Sequence, residues 1–345
     1  MEPLPEAIRD VGHLEALLSE PTDEVIEQLA VTSGDIIFLG VGGKMGPTLA
    51  RMARRAVDAS GGRARVIGVS RFSSDHVSAA LEAIGVETIR CDLLDRAQVA
   101  KLPRVENVFY MPAMKFGATG QEALTWAMNA YLPGIVCEHF TDSRIVAFST
   151  GNVYGLTPVR SGGSREDDTL HPEGDYAWSC LGRERIFEHF SRALELPVTL
   201  LRLNYAVEMR YGVLRDIAQR VWNGQPVDVT MGYLNAIWQG DANAATLLSL
   251  RRATSPPTIL NITGPDLLSV RGIAVEFGRL LDREVEFTGE EAPDALLSNA
   301  QRAHELLGPP RIPIGQIIEW TADWVRRGGE SLGKPTKFEV RTGEF

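Results

Sequence analysis

The chain has 345 residues, 44% of them hydrophobic, and a formal net charge of −10. That length suits one large α/β domain or two smaller ones, and the acidic balance without any long basic run argues against nucleic acid as a partner. No apolar stretch approaches a membrane span, and the acidic N-terminus (Glu2, Glu6, Asp10) lacks a signal-peptide pattern. Cys91, Cys137 and Cys180 are widely spaced and odd in number, with no zinc spacing and no disulfide framework, so a reducing cytoplasm is the expected location.

Residues 1–34 read as a helical extension, with short helices over 14–18 and 25–29 separated by Pro21. An apolar run then predicts a first strand over 35–39, followed by a helix over 48–56 with Leu49, Met52 and Ala53 on one face. Further strands are predicted over 65–69, 87–90, 107–111, 144–149 and 198–203, with helices over 77–84, 122–140 and 176–195 between them. Alternating strands and helices predict an α/β fold, a doubly wound parallel Rossmann-type sheet covered on both faces. After about residue 205 the alternation loosens into a smaller mixed C-terminal part. Helices are expected over 211–223, 241–251, 269–281, 300–307 and 314–327, and short strands over 227–230 and 235–238. A strand over 258–262 should return to the main sheet. The expected division is a 35–205 dinucleotide-binding domain, with 233–265 returning to it. A substrate-binding part over 206–330 and a C-terminal arm over 331–345 follow.

In such a sheet, ligand binds beyond the carboxyl ends of the strands. After the first strand stand Gly40, Gly43 and Gly46, spaced by three, with Gly42, Lys44 and Met45 in the same loop. Gly40 permits the tight turn, Gly43 lets backbone approach a pyrophosphate, and Gly46 lets the helix pack close to the sheet. Pro47 fits the first helical turn, and the free N–H groups there favour an anion. Lys44 is expected near that pyrophosphate. After the second strand, Ser70-Arg71 offers a hydroxyl and a guanidinium where a carboxylate would select NAD. This predicts NADP over NAD, although Arg71 also reads as a solvated arginine stacked on adenine. Asp92-Leu93, after the third strand, can face adenine.

The glycine spacing, Asp92-Leu93, the Phe109–Ala113 segment, Asn129, the Ser149–Gly155 segment and Tyr176 together resemble the extended short-chain dehydrogenase/reductases. Within these, the sequence resembles the NAD-dependent epimerase/dehydratase family, which includes the nucleotide-sugar 4-epimerases. The resemblance runs from about residue 35 to 325 and is strongest before 205. It implies that Thr150, four residues before Tyr154, bonds the substrate oxygen and that Tyr176 is the catalytic tyrosine. Met111, Ala113 and Asn129 fall at cofactor-side positions, and Asn152 and Asn204 at substrate-side ones. The family's Tyr-x-x-x-Lys motif is Tyr176-Ala177-Trp178-Ser179-Cys180 here, so Cys180 occupies the lysine's place on the cofactor side.

That departure has a physical consequence. A free tyrosine has a pKa near 10, so about 0.1% is phenolate at neutral pH. Without a cation one turn away, Tyr176 can give a proton but is a weak base. Lysine is scarce, at Lys44, Lys101, Lys115, Lys334 and Lys337 only. By resemblance Lys115 faces the cofactor or substrate and is the candidate compensating cation.

The substrate side departs too. Nucleotide-sugar epimerases clamp a diphosphate with two arginines, and here those positions fall near Leu234 and Glu291, with Arg210 or Arg215 as the available substitutes. An apolar residue and an acid cannot clamp a diphosphate, so a smaller, neutral or polyhydroxylated substrate is expected. Trp126, Trp178, Trp222 and Trp238 read either as sugar-stacking rings or as core. The expected activity is NAD(P)-dependent hydride transfer to or from a sugar-derived carbonyl or alcohol. A cofactor-binding sensor or scaffold with little redox activity is the other open reading. No metal is expected. The expected assembly is a homodimer through the 122–140 and 176–195 helices.

Overall fold

The computed structural model describes residues 4–115, 120–334 and 336–344. Seven parallel strands form the central sheet. They are β1 (Ile36–Leu39), β2 (Val66–Ser70), β3 (Glu87–Arg90), β4 (Asn107–Tyr110), β5 (Arg144–Thr150), β6 (Val198–Leu203) and β7 (Thr258–Ile262). Their spatial order is β7-β6-β5-β4-β1-β2-β3. Chain direction across the sheet therefore reverses between β1 and β4, and a crevice opens where the loops after these strands part.

The inner strands β1, β2 and β6 read as largely apolar runs because both faces are covered, whereas the edge strand β3 is exposed at Glu87 and Arg90. Ile36 and Phe38 point to one face with Leu49, Met52, Ala53 and Ala56. Ile37 and Leu39 point to the other with Tyr110, Leu132, Val136 and Phe187. Phe38 stacks on Phe109 at 4.8 Å across the β1–β4 pair. Each such fully buried ring contributes about 1.5–3 kcal/mol relative to an exposed one.

The helices are α1 (Val11–Leu18), α2 (Asp23–Val31), α3 (Gly46–Ala59), α4 (Asp75–Glu82) and α5 (Arg96–Val99) in the first part. Next come α6 (Glu122–Trp126), α7 (Leu132–His139), α8 (Gly174–Leu194), α9 (Val213–Trp222) and α10 (Gln239–Leu248). The last are α11 (Val270–Leu281), α12 (Gln301–Leu307) and α13 (Ile314–Arg326). Side-chain oxygens of Asp10 and Thr22 cap α1 and α2. A second core gathers α9, α11 and α13 around Trp238 and Trp320, with Ile8, Leu14 and Leu18 of the N-terminal segment inside it. Residues of the C-terminal stretch are also seated there. Phe338 is buried, and the Thr336 N–H and hydroxyl both donate to Asp216.

One helix differs from the sequence reading. The expected unbroken helix over 122–140 is α6 and α7 joined by a π-helical segment, Ala127–Tyr131. Pro133 has no N–H to return to the Asn129 carbonyl four residues back, and the helix widens there. No described helix is long and apolar enough to cross a membrane.

Candidate active site

The glycine loop leaves β1 at Gly40, whose φ of +81° is the left-handed region that glycine adopts without strain. Gly40 lies against Pro112 of the segment after β4, so the two loops flanking the crevice meet there. At Gly46 a Cβ would overlap the Val41 carbonyl oxygen, which is why α3 can start directly beneath the loop. No side chain caps α3. Gly42 and Gly43 are exposed above it. An exposed glycine backbone over an uncapped helix start suits a pyrophosphate.

The Lys44 side chain goes elsewhere. Its ammonium donates to the Ala206 carbonyl at 2.9 Å and lies 4.3 Å from the centre of the Tyr211 ring. Burial pushes it down to about 8, with Glu208 favouring and Arg210 opposing the charge. Lys44 thus ties the glycine loop to the second half of the chain instead of extending toward an anion. Met45 is half-buried against the first core.

Ser70 ends β2, and its hydroxyl sits where a Cβ on Gly42 would approach to 2.7 Å. Arg71 is exposed. Its carbonyl and that of Phe72 accept from Arg90, which also pairs with Asp75. Arg90, unnoticed in the sequence, therefore shapes the turn after β2 and adds a second guanidinium there. Asp92 accepts from the Leu94 N–H at 3.0 Å, and Leu93 is buried.

After β4, the Met111 N–H extends the sheet by donating to Leu39, and Ala113 is exposed. The Asn129 amide grips Met114 from both sides, accepting from its N–H at 2.9 Å and donating to its carbonyl at 3.0 Å. It also donates to Ser179 at 2.9 Å and accepts from Arg183 at 2.8 Å. All four positions of the amide are thereby used within the protein. Asn129 holds the Met111–Lys115 segment and has no capacity left for a ligand.

Thr150 ends β5. Its hydroxyl donates to Asn152 Oδ1 at 2.9 Å and accepts from the Asn152 N–H at 3.2 Å, starting a short 3-10 turn. Asn204, after β6, donates to the Leu296 carbonyl at 3.1 Å. Tyr176, Cys180 and Arg183 share one face of α8. The Tyr176 hydroxyl reaches Thr150 and Cys180. Burial pushes this phenol up and Cys180 adds to the rise, while Arg183 and Thr150 act in the opposite sense. Lys115 Nζ lies 5.6 Å from the centre of the Tyr176 ring. Burial pushes Lys115 down to about 8, with Cys180 partly offsetting the effect. Cys180 is fully buried, and burial pushes its thiol up.

Behind the site, Glu184 accepts from Ser149 at 2.5 Å and forms a two-pronged pair with Arg202 at 3.0 and 2.7 Å. Arg202 also donates to Tyr154 at 2.8 Å, and Tyr154 to Asn261 at 2.7 Å. This network fixes the ends of β5, β6 and β7. Its signal in the sequence was one charged residue, Arg202, on a largely apolar strand. In front of the site, Val340 packs against the cluster that Val153, Tyr154, Tyr176 and Cys180 form. Arg341 is bonded to Asp294, so the C-terminal stretch closes one side of the cleft.

Of the positions expected to resemble a diphosphate clamp, Leu234 is buried, and Glu291 is bonded to Arg271 at 2.5 Å. Arg210 is engaged by Glu208 and Glu15. Among the described residues no cluster is suited to hold a metal ion.

No curated protein sequence matches the chain. Solved structures do. A UDP-glucose 4-epimerase from Thermotoga maritima, solved with UDP-glucose, has a TM-score of 0.70 at 20% identity, covering 85% of this chain and 99% of its own. A UDP-glucuronic acid 4-epimerase from Bacillus cereus, solved with UDP-glucuronic acid and NAD, has a TM-score of 0.69 at 16% identity, covering 85% and 99%. A dTDP-glucose 4,6-dehydratase from Streptomyces venezuelae, solved with NAD, has a TM-score of 0.72 at 17% identity, covering 85% and 97%. At these identities the likeness is one of fold. Residues 36–225 match the family model described as NAD dependent epimerase/dehydratase family. That span is more than half of the chain and runs from the first residue of β1 past Thr150, Tyr176 and α9, and the chain belongs to the NAD dependent epimerase/dehydratase family.

Proposed function

We propose that the protein is a nicotinamide-dependent oxidoreductase or epimerase of the extended short-chain dehydrogenase type, acting on a sugar-derived carbonyl or alcohol. The observation that carries this reading is the convergence of Thr150, Tyr176 and Lys115 at the crevice beside the glycine loop. A nicotinamide cofactor, when bound, would supply or accept the hydride. Thr150 would bond the substrate oxygen by turning its hydroxyl away from Asn152 Oδ1, and Tyr176, kept neutral by burial, would donate the proton that this oxygen takes up in reduction. In oxidation the same tyrosine must receive a proton, a role for which its raised affinity for protons requires a nearby cation. Lys115, over its ring, is one such cation.

Gly40, Gly42, Gly43 and Gly46 would hold the pyrophosphate. Ser70, Arg71 and Arg90 would meet the adenosine ribose and support NADP, whereas two of the solved relatives named above carry NAD. The substrate proposed is not a nucleotide-diphosphate sugar. Leu234 lies in the core, the Glu291 carboxylate is bonded to Arg271, and Val340 and Arg341 narrow the cleft. The sugar-nucleotide ligands of the relatives argue the other way, so binding decides. Calorimetric titration of UDP-glucose and dTDP-glucose into protein saturated with NADP is expected to give no binding at micromolar concentrations. A cofactor-binding sensor is the second reading, favoured by Cys180 at the lysine position.

A second copy of this chain is the proposed partner. Trp126 at the end of α6, Tyr131 at the end of the π-helical segment and Trp178 on α8 are 40%, 53% and 50% exposed. Large apolar rings open on two helices already bonded through Trp126 and Asp175 suit a helical dimer seam. Trp178→Glu should leave a monomer in sedimentation velocity if the seam is used.

A further inference from the structure

Arg183 is a buried arginine, 1% exposed, on the same face of α8 as Tyr176 and Cys180. Its Nε donates to the Asn129 carbonyl at 3.2 Å, its Nη2 to Asn129 Oδ1 at 2.8 Å, and its Nη1 to the Phe148 carbonyl at 2.8 Å. Among the described residues no carboxylate forms an ion pair with it, because the adjacent Glu184 gives both oxygens to Arg202. A buried cation with no carboxylate partner, held by neutral oxygens and lying 5.7 Å from the centre of the Tyr110 ring, still costs several kcal/mol. Such a cost persists where the charge serves a neighbour that turns negative.

Two features make room for it. The Asn129 carbonyl is open to Arg183 because Pro133 brings no N–H to it. The residue one helix turn before Arg183 on its face is Cys180, a small side chain. A helical side chain leans toward the N-terminus, so the guanidinium is drawn back toward the turn of Cys180 and Ser179. The bonded chain from Arg183 through Asn129 to Ser179 ends on the Tyr176 carbonyl at 2.9 Å.

We infer that Arg183 is a positioning residue that supplies, from the next turn of α8, the fixed positive charge that a lysine at position 180 brings in related chains. This rests on the function proposed above. The lysine's two tasks are then divided. The charge beside Tyr176 is kept by Arg183, while a contact to cofactor ribose is not, since the bonds of the guanidinium all turn inward. The groups facing this pair are Cys180 and Glu184 on α8, Tyr110 on β4, Lys115 after β4, Thr150 after β5 and Asn129 between α6 and α7. Burial opposes the Arg183 charge, and Cys180, Tyr110, Tyr176 and Glu184 favour it with a net upward result.

The test is a cycle of Cys180→Lys, Arg183→Met and the double variant in the full chain. One readout is the urea midpoint. The other is the titration of Tyr176 by fluorine NMR, in protein carrying a fluorinated, more acidic tyrosine, with the signal assigned by Tyr176→Phe. Arg183→Met is expected to raise the Tyr176 midpoint by about one pH unit or more, and the double variant to reverse most of that rise. Cys180→Lys alone is expected to lose stability, because two cations then share one buried space, and the double variant to regain part of it. An unmoved Tyr176 midpoint in Arg183→Met, or stability effects that simply add, would overturn the inference. Should Arg183→Met not fold, Cys180→Lys decides alone. Full stability together with a Tyr176 midpoint lowered by about a unit would mean the place was vacant, contrary to the inference. A separate titration with NADP tests the proposed function, and its failure would leave the cycle readable.

Discussion

Gly46 and Gly43 are three residues apart in one loop and should fail in different ways when changed. At Gly46 a Cβ would overlap the Val41 carbonyl oxygen and come within 2.7 Å of Val41 Cα, both backbone atoms that cannot rotate aside. Gly46→Ala must therefore push α3 away from the loop, and overpacking of this kind costs about 1–3 kcal/mol. Alanine regains at most about 1 kcal/mol of helix propensity, and because all three close atoms are backbone the upper end of the overpacking range applies, leaving a net loss of about 2 kcal/mol. At Gly43 the nearest atom to a Cβ is the Gly40 carbonyl oxygen at 3.4 Å, an ordinary contact. Gly43→Ala should leave the apo protein within about 0.5 kcal/mol of wild type. Its methyl would nonetheless stand where the backbone must approach an anion, and Gly43→Asp adds a repelling charge. The assays are urea denaturation without ligand and calorimetric titration with NADP. Gly46→Ala should lose stability, Gly43→Ala should lose affinity alone, and Gly43→Asp should not bind. Wild-type affinity in Gly43→Asp, or wild-type stability in Gly46→Ala, would refute the reasoning.

Lys115, held down to about 8, carries its charge below that pH and loses it above. Any NADPH-dependent carbonyl reduction should therefore show a limb falling near pH 8 that vanishes in Lys115→Met. A limb that stays in the variant belongs to another group. The Arg202–Glu184 pair is 3% and 4% exposed at its side chains, so Arg202→Met should cost about 3–5 kcal/mol by stranding the carboxylate. The double change with Glu184→Leu should cost less, as read by urea midpoints. Ser70→Asp should shift the preference between NADP and NAD toward NAD, measured as the ratio of dissociation constants. Tighter binding of NAD by the wild type would contradict the reading of Ser70, Arg71 and Arg90.

Most of the sheet was legible because strands buried on both faces leave apolar runs, as at 198–203, which was placed with the observed limits. The edge strand 87–90 was also placed with its observed limits, although its residues are half-buried or exposed. The returning strand Thr258–Ile262 followed from the same pattern and pairs in parallel with β6. What the pattern hid was tertiary. The unbroken helix expected over 122–140 failed at its middle, although Pro133 was in view, because widening a helix depends on what receives the freed carbonyl. That partner is Arg183, more than fifty residues away in sequence. Lys44 looked like a phosphate contact because its loop suits phosphate, but its side chain follows the Ala206 carbonyl and the Tyr211 ring, which no local motif announces. The absence of lysine at position 180 was plain, whereas the buried guanidinium one turn on was not, since an arginine on a long helix reads as solvated. Resemblance placed Thr150 and Tyr176, and the geometry that joins them came only with the fold.

Hydride transfer dependent on Tyr176 is the central claim, and one experiment meets it directly. NADPH oxidation is followed by absorbance against a panel of aldoses, ketoses, sugar acids and lactones, using wild type and Tyr176→Phe, with NADPH affinity measured for both. At least one polyhydroxylated carbonyl is expected to oxidise NADPH. Tyr176→Phe should lose about 10²–10⁴-fold in rate while binding NADPH as before. Full activity in Tyr176→Phe would contradict the account, and tight NADPH binding with no turnover of any carbonyl would favour the sensor instead.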